Sequence, residues 1–189
     1  MRLIVSLLLL ATAPIVAGCD RQKAEAPQAP VTQQESKGVD RSHKGEAAPT
    51  LKFKNPDGGE FDLGKFNGTP VLVNLWASWC APCIKELPTL QQLEQVQAGE
   101  GQLGVIAVSQ DQGPQESVEA FLAERDLGRF AAFHDPDMNL TSALKIQIMP
   151  TTILYDAQGR EVWRYVGDLN WTGEEAAKLL AELDPSKKT

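Results

Sequence analysis

The sequence predicts an α/β fold: a central mixed β-sheet flanked by helices, with a β-hairpin ahead of it. Three observations carry this. Residues 70–76 (PVLVNLW) and 102–109 (QLGVIAVS) are short, nearly continuous apolar runs, as expected of strands buried on both faces. Residues 81–96 and 115–125 have helical spacing, the second with Val118, Phe121 and Leu122 on one face. The resulting order is strand, helix, strand, helix, strand, then a hairpin and a last helix, which puts helices on both faces of one sheet.

The other elements follow from local signals. Residues 51–53 and 61–63 alternate in polarity around Asn55, Pro56, Asp57, Gly58 and Gly59, which is a hairpin signal. A short strand is expected over 130–134, and a short helix over 137–144 capped by Asp135 or Asp137. Residues 151–155 and 161–166 read as strands joined by a turn at 156–159 (DAQG). Residues 173–183 read as a final helix with Ala177, Leu180 and Leu183 inward.

Composition narrows the class. With 42% hydrophobic and 23% charged residues among 189, a wholly disordered chain is excluded. A net charge of −7 argues against a nucleic-acid partner. Three cysteines are too few for a disulfide scaffold, and the odd number leaves one to be explained separately.

The first segment reads as an address. Residues 3–13 (LIVSLLLLATA) follow Arg2. They are too short for a spanning helix, which needs roughly 20 residues, and suit a signal-peptide apolar region. Val16, Ala17 and Gly18 precede Cys19, and the segment resembles a bacterial lipoprotein signal, in which that Cys is acylated and becomes the first mature residue. Ordinary cleavage near Gly18, with Cys19 a spare thiol, is the alternative. Asp20 resembles the signal that retains lipoproteins in the inner membrane, which implies a lipid-anchored protein on its periplasmic face. Residues 20–48 have only Val31 and Val39 as branched apolar residues and no aromatics, so they are expected to be a flexible tether in which His43 is solvated. The expected division is a signal over 1–18, a tether over 19–48 and one folded domain over 49–189.

The chemistry centres on Trp79-Cys80-Ala81-Pro82-Cys83, which follows a buried strand and opens a helix. Two cysteines at this spacing can close a disulfide across one helical turn. The first sits near unpaired backbone N–H groups at the positive end of the helix dipole, which favours a thiolate, the reactive form. Cys80 is then the exposed nucleophile and Cys83 the buried resolving thiol. Pro82 falls in the first turn, where its missing N–H costs nothing. Half a zinc site or a structural disulfide are the competing readings. Zinc needs four ligands, and beyond the pair the chain offers only Cys19 and two scattered histidines, so no metal is expected.

Residues 70–88 (PVLVNLWASWCAPCIKELP) resemble the active-site segment of thioredoxin-like thiol–disulfide oxidoreductases, most closely the membrane-anchored TlpA/ResA-like branch. The similarity runs from the first hairpin to the last helix. Met149-Pro150-Thr151 matches a second motif of that family. The resemblance implies that Pro150 is a cis-proline beside the cysteines and that the backbone of Met149 pairs with the substrate chain. A trans proline opening an edge strand is the alternative. Trp79 is expected to form part of the substrate groove, Trp76 to be structural or at its rim, and Trp163 and Trp171 to serve packing. His134, before a turn, and Lys85, expected in solvent, receive no redox role.

Thioredoxins carry a buried Asp in the strand before the motif; this chain has Asn74, which does not titrate. Glu86 is the expected substitute. Steps of 100° place it about 60° from Cys83 around the helix, in the stripe that holds Leu87 and Leu90. Burial there raises a carboxyl pKa and suits proton transfer to and from Cys83. Pro88 is expected to kink the helix.

The expected function is a membrane-anchored periplasmic thiol–disulfide oxidoreductase, mainly a reductase of protein disulfides. It would act through a redox-active Cys80–Cys83 disulfide with no other cofactor. The resemblance implies a membrane electron donor of the DsbD/CcdA type, clients in cytochrome c maturation or copper-site and oxidase assembly, and a monomer. A Cu(I)-handling assembly factor using both cysteines as soft ligands is the alternative, weakened because no Met- or His-rich stretch lies near them. A thiol peroxidase, which resembles this fold, has Thr or Ser three residues before its reactive Cys, where this chain has Ala77.

Overall fold

The structure is a computed structural model and describes residues 37–66 and 68–183. One eight-stranded mixed sheet forms its centre. In chain order the strands are β1 (Gly38–Asp40), β2 (Phe53–Lys54), β3 (Glu60–Phe61), β4 (Val71–Trp76), β5 (Gly104–Ser109), β6 (Phe133–His134), β7 (Thr151–Tyr155) and β8 (Glu161–Val166). The helices are α1 (Ala81–Glu100), α2 (Gln115–Ala123), α3 (Asn139–Ala143) and α4 (Glu174–Leu180). Across the sheet the order is β1-β8-β7-β4-β5-β6-β2-β3. The predicted mixed sheet, flanking helices and leading hairpin (β2 with β3) are all present.

The two apolar runs take the centre. β4 pairs in parallel with β5 and antiparallel with β7, and every residue of β4 is buried. Alternation along β4 divides the core. Leu72 and Trp76 join Cys83, Leu87 and Leu90 of α1 on one face. Val71, Val73 and Leu75 join Ile153 and Leu140 on the other. α1 runs through Pro88 without a break and ends at Gly101, whose positive φ (66°) suits a residue with no Cβ.

The last part of the expected tether is folded. Gly38, Val39 and Asp40 pair with Val166, Tyr165 and Arg164 of β8, and Ala47 bridges to Arg160. The folded domain therefore includes residues from Gly38 on, eleven positions ahead of the expected start at 49. Without β1 the β8 edge would present a row of unpaired N–H and C=O groups. Backbone pairing meets that need without apolar side chains, so composition could not reveal it. His43, expected in solvent, is half-buried with Nδ1 3.2 Å from a Glu46 oxygen. The signal segment, Cys19 and the rest of the expected tether lie outside the described residues.

α4 differs in its rotation. Its buried residues are Ala176 and Leu179; Ala177 is exposed, and Leu180 and Leu183 are only partly covered. The Trp163 indole donates to the Leu179 carbonyl at 3.2 Å, which turns that face inward. In α3 the cap is Asp135, whose carboxylate accepts the N–H groups of Asn139 and Leu140.

A buried ion pair ties β8 to the face opposite α1. Arg164 donates through Nε and Nη2 to Glu161, both bonds 2.8 Å, and its Nη1 donates to the Leu144 carbonyl at 3.0 Å. Arg164→Ala leaves the Glu161 carboxylate buried and unpaired, and should cost about 3–5 kcal/mol in urea unfolding. Replacing both residues with Leu and Met should cost clearly less, because no orphan charge remains.

Candidate active site

The strand β4 delivers residues 77–80 to the end of the sheet where α1 begins. Cys80 is the N-cap of α1, and the Cys83 N–H donates to its sulfur at 3.3 Å. The two sulfurs are joined in a disulfide. Cys83 is fully buried, as expected. Cys80 is 7% exposed, less than the sequence suggested, because the bond draws its sulfur in against Cys83.

The Met149–Pro150 peptide is cis, as the family resemblance implied. Met149 and Cys80 line one groove of about 460 Å³ with Trp79, Pro82, Met138 and Thr141. Trp79 is 65% exposed at its mouth. Trp76 is buried and therefore structural. The described lining contains no charged side chain. Met138, Thr141, Ile146 and Gln147 are unforeseen members. Met138 lies 58 positions from Cys80 and takes a left-handed backbone (φ 53°) at the start of α3. Among the described residues no cluster of three or more His, Cys, Asp or Glu side chains is arranged to hold a metal ion.

Glu86 lies one turn beyond Cys83 on the buried face of α1 and is 2% exposed. Three donors reach its carboxyl. Asn74 Nδ2 lies 2.7 Å from Oε1, while the Leu169 N–H and the Trp171 indole N–H lie 3.0 and 3.1 Å from Oε2. Burial pushes its pKa up from 4.5 to about 7, against the pull of these donors; the nearby Asp168 charge pushes the same way. Trp171, expected only to pack, thus also holds the carboxyl. It is 85 positions away, and no local pattern announces such a pairing. Asn74 also donates to Thr152 Oγ1 at 2.8 Å, so the residue in place of the thioredoxin Asp anchors Glu86 to β7. Lys85 is not simply solvated. Its ammonium donates to Asp168 at 2.9 Å, which raises the Lys85 pKa and lowers that of Asp168. His134 is buried at the end of β6, away from the groove lining.

The raised pKa has a sign that stability measurements can read. Between about pH 4.5 and 7 the unfolded chain has released the Glu86 proton while the folded oxidised protein keeps it. Stability therefore falls as pH rises through that window, by up to about 3 kcal/mol, and stays lowered above it. Glu86→Gln should remove this slope, so urea unfolding of the oxidised proteins at pH 5 and pH 8 should show wild type losing stability relative to the variant.

Comparison with known proteins agrees with this geometry. The Redoxin family profile matches residues 43–183. A thiol–disulfide oxidoreductase ResA of Geobacillus kaustophilus is 30% identical over 141 residues, covering 75% of this chain and 78% of the relative. The ResA of Bacillus cereus is 27% identical over 75% of this chain and 79% of the relative. Among solved structures, a thiol:disulfide interchange protein described as DsbE, from Chlorobium tepidum, superposes with a TM-score of 0.65 at 28% identity, covering 74% of this chain and 97% of that one. Pro150 itself, expected to bind substrate, is buried and lies outside the groove lining; Met149 of the cis peptide represents it there. With a disulfide at a helix N-terminus beside that groove, the chain belongs to the Redoxin family and is a thioredoxin-like thiol–disulfide oxidoreductase.

Proposed function

We propose that this protein is a lipid-anchored reductase of protein disulfides on the periplasmic face of the inner membrane. The observation that carries the exchange chemistry is Glu86, buried one turn from Cys83 and held by three donors, with its pKa pushed up to about 7 by burial. The thiolate of Cys80 attacks a client disulfide, forming a mixed disulfide and releasing one client thiolate. The client chain lies in the groove against Trp79, paired to the backbone of Met149 beside Pro150. Glu86 takes the proton of Cys83, whose thiolate attacks Cys80 and breaks the mixed disulfide; the departing client sulfur takes the proton back from Glu86 and leaves as a thiol, and the Cys80–Cys83 disulfide remains. The client gains two electrons and the Cys83 proton, ending as one thiolate and one thiol; this protein loses both electrons and that proton.

The anchor at Cys19 and the address signal at Asp20 support the location. An oxidising periplasm supplies no reductant, so a membrane electron donor of the DsbD/CcdA type must regenerate the dithiol. Apocytochrome c thiols and copper-site proteins of respiratory oxidases fit as clients. The protein acts as a monomer, and the disulfide is its only redox group.

One observation favours a second reading, Cu(I) handling. The sequence shows no Met-rich stretch near the cysteines, yet the fold brings Met138 and Met149 to the groove of Cys80. Thioethers and thiolates are soft ligands suited to Cu(I). Stoichiometric Cu(I) binding by the reduced protein, weakened in Met138→Leu and Met149→Leu without loss of insulin reduction, would favour it.

Cys80→Ser should abolish insulin reduction. Glu86→Gln should slow resolution of a preformed mixed disulfide by at least about tenfold, and should remove the rise in rate with pH near 7. Superimposable pH profiles would contradict the proton-transfer role. The Cys80–Cys83 pair should have a reduction potential near that of thioredoxin, about −270 mV; a value near −120 mV would mark an oxidant instead.

A further inference from the structure

Two neighbouring residues at the carboxyl end of β5 hold the two walls of the groove, and neither lines it. The first wall is the short turn 77–80 that carries Trp79. The Asp111 carboxylate accepts the Ser78 N–H at 2.9 Å, the Ser78 hydroxyl at 2.7 Å and the Ser109 hydroxyl at 2.7 Å. Its main chain is fixed in turn. The Asp111 N–H donates to Ser109 Oγ at 3.0 Å, and the buried His134 donates from Nε2 to the Asp111 carbonyl at 2.8 Å. The second wall is α3. The Thr141 hydroxyl donates to the Gln110 side-chain oxygen at 2.7 Å, and the Gln110 N–H donates to the Trp76 carbonyl at 2.8 Å.

These bonds answer a need of the fold. Ala77 and Cys80 are buried and fix the two ends of the turn, whereas Ser78 is only partly covered and Trp79 is 65% exposed, so the middle of the turn relies on hydrogen bonds. A carboxylate is suited to the task, because it accepts several bonds at once and charge-assisted bonds are about twice as strong as neutral ones. Misplacement by about 1 Å is enough to weaken a positioned site markedly.

We propose that Asp111 and Gln110 are positioning residues that set the width of the substrate groove. Asp111 acts through Ser78 on the Trp79 wall, and Gln110 acts through Thr141 on the α3 wall. They govern affinity for extended protein disulfides and take no part in the sulfur chemistry. The inference rests on the groove being the client's seat. It separates two substrate classes: a protein chain touches both walls, whereas a small disulfide needs only Cys80.

The test compares insulin with 5,5′-dithiobis(2-nitrobenzoic acid) as substrates of the full-length protein. In Asp111→Ala the KM for insulin should rise about tenfold, the scale of one charge-assisted bond, with kcat little changed. The rate constant with the small disulfide should change less than about twofold. Asp111→Asn keeps one acceptor oxygen and should fall between wild type and Ala. Ser78→Ala keeps the backbone bond, disturbs the fold least and should raise KM about threefold. An unchanged insulin KM in Asp111→Ala or, should that variant not fold, in Ser78→Ala overturns the proposal, as does an equal fall with both substrates. Trp79→Ala separates the causes. If it raises the insulin KM while the Asp111 and Ser78 variants do not, the groove stands and the positioning role fails; if none of them does, both fail.

Discussion

The site depends on one constraint: a carboxyl group kept almost dry inside the sheet–helix interface. Glu86 sits in an apolar stripe where a carboxyl is costly to bury, and the surroundings are built to tolerate it. Asn74 from β4, the Leu169 N–H after β8 and the Trp171 indole each bring a donor to its two oxygens. These bonds link the central strand, the catalytic helix and the segment before α4. The balance between them and desolvation puts the group near neutrality instead of leaving it a fixed charge. A carboxyl that titrates near pH 7 can both take and return a proton where the dithiol works.

The sheet serves this arrangement by converging three segments on one end. The turn after β4 presents the disulfide, Met149 of the cis peptide before β7 lines the same groove, and the Gly167 N–H after β8 donates to the Pro150 carbonyl at 2.8 Å. Lys85 and Asp168 form a mostly exposed ion pair between α1 and that last segment. Such a pair adds little stability, but it partly offsets the charge of Asp168 close to Glu86.

Much of this was legible in the sequence because it is local. The cysteine pair, the helix it caps, the apolar strands and the inward direction of Glu86 all follow from spacing over a few turns or strand residues. Pro150 became legible only through resemblance, since nothing local specifies its isomer. The rest is non-local. β1 is recruited by backbone pairing, which leaves no mark on hydropathy. Trp171 reaches Glu86 across 85 positions, Met138 joins the groove 58 positions from Cys80 and Asp111 reaches Ser78 across 33, through contacts only the folded chain defines. α4 carries two overlapping apolar stripes, and the Trp163 bond chose between them.

The most direct measurement of the central claim is a titration of the Glu86 carboxyl itself in the oxidised protein, followed by carboxyl-carbon NMR or by the protonated carboxyl band in infrared difference spectra, with Glu86→Gln to assign the signal. The account predicts a midpoint near 7. A midpoint near the ordinary glutamate value of about 4.3 would show that the bonds from Asn74, Leu169 and Trp171 fully offset burial, and would contradict a proton-transferring Glu86.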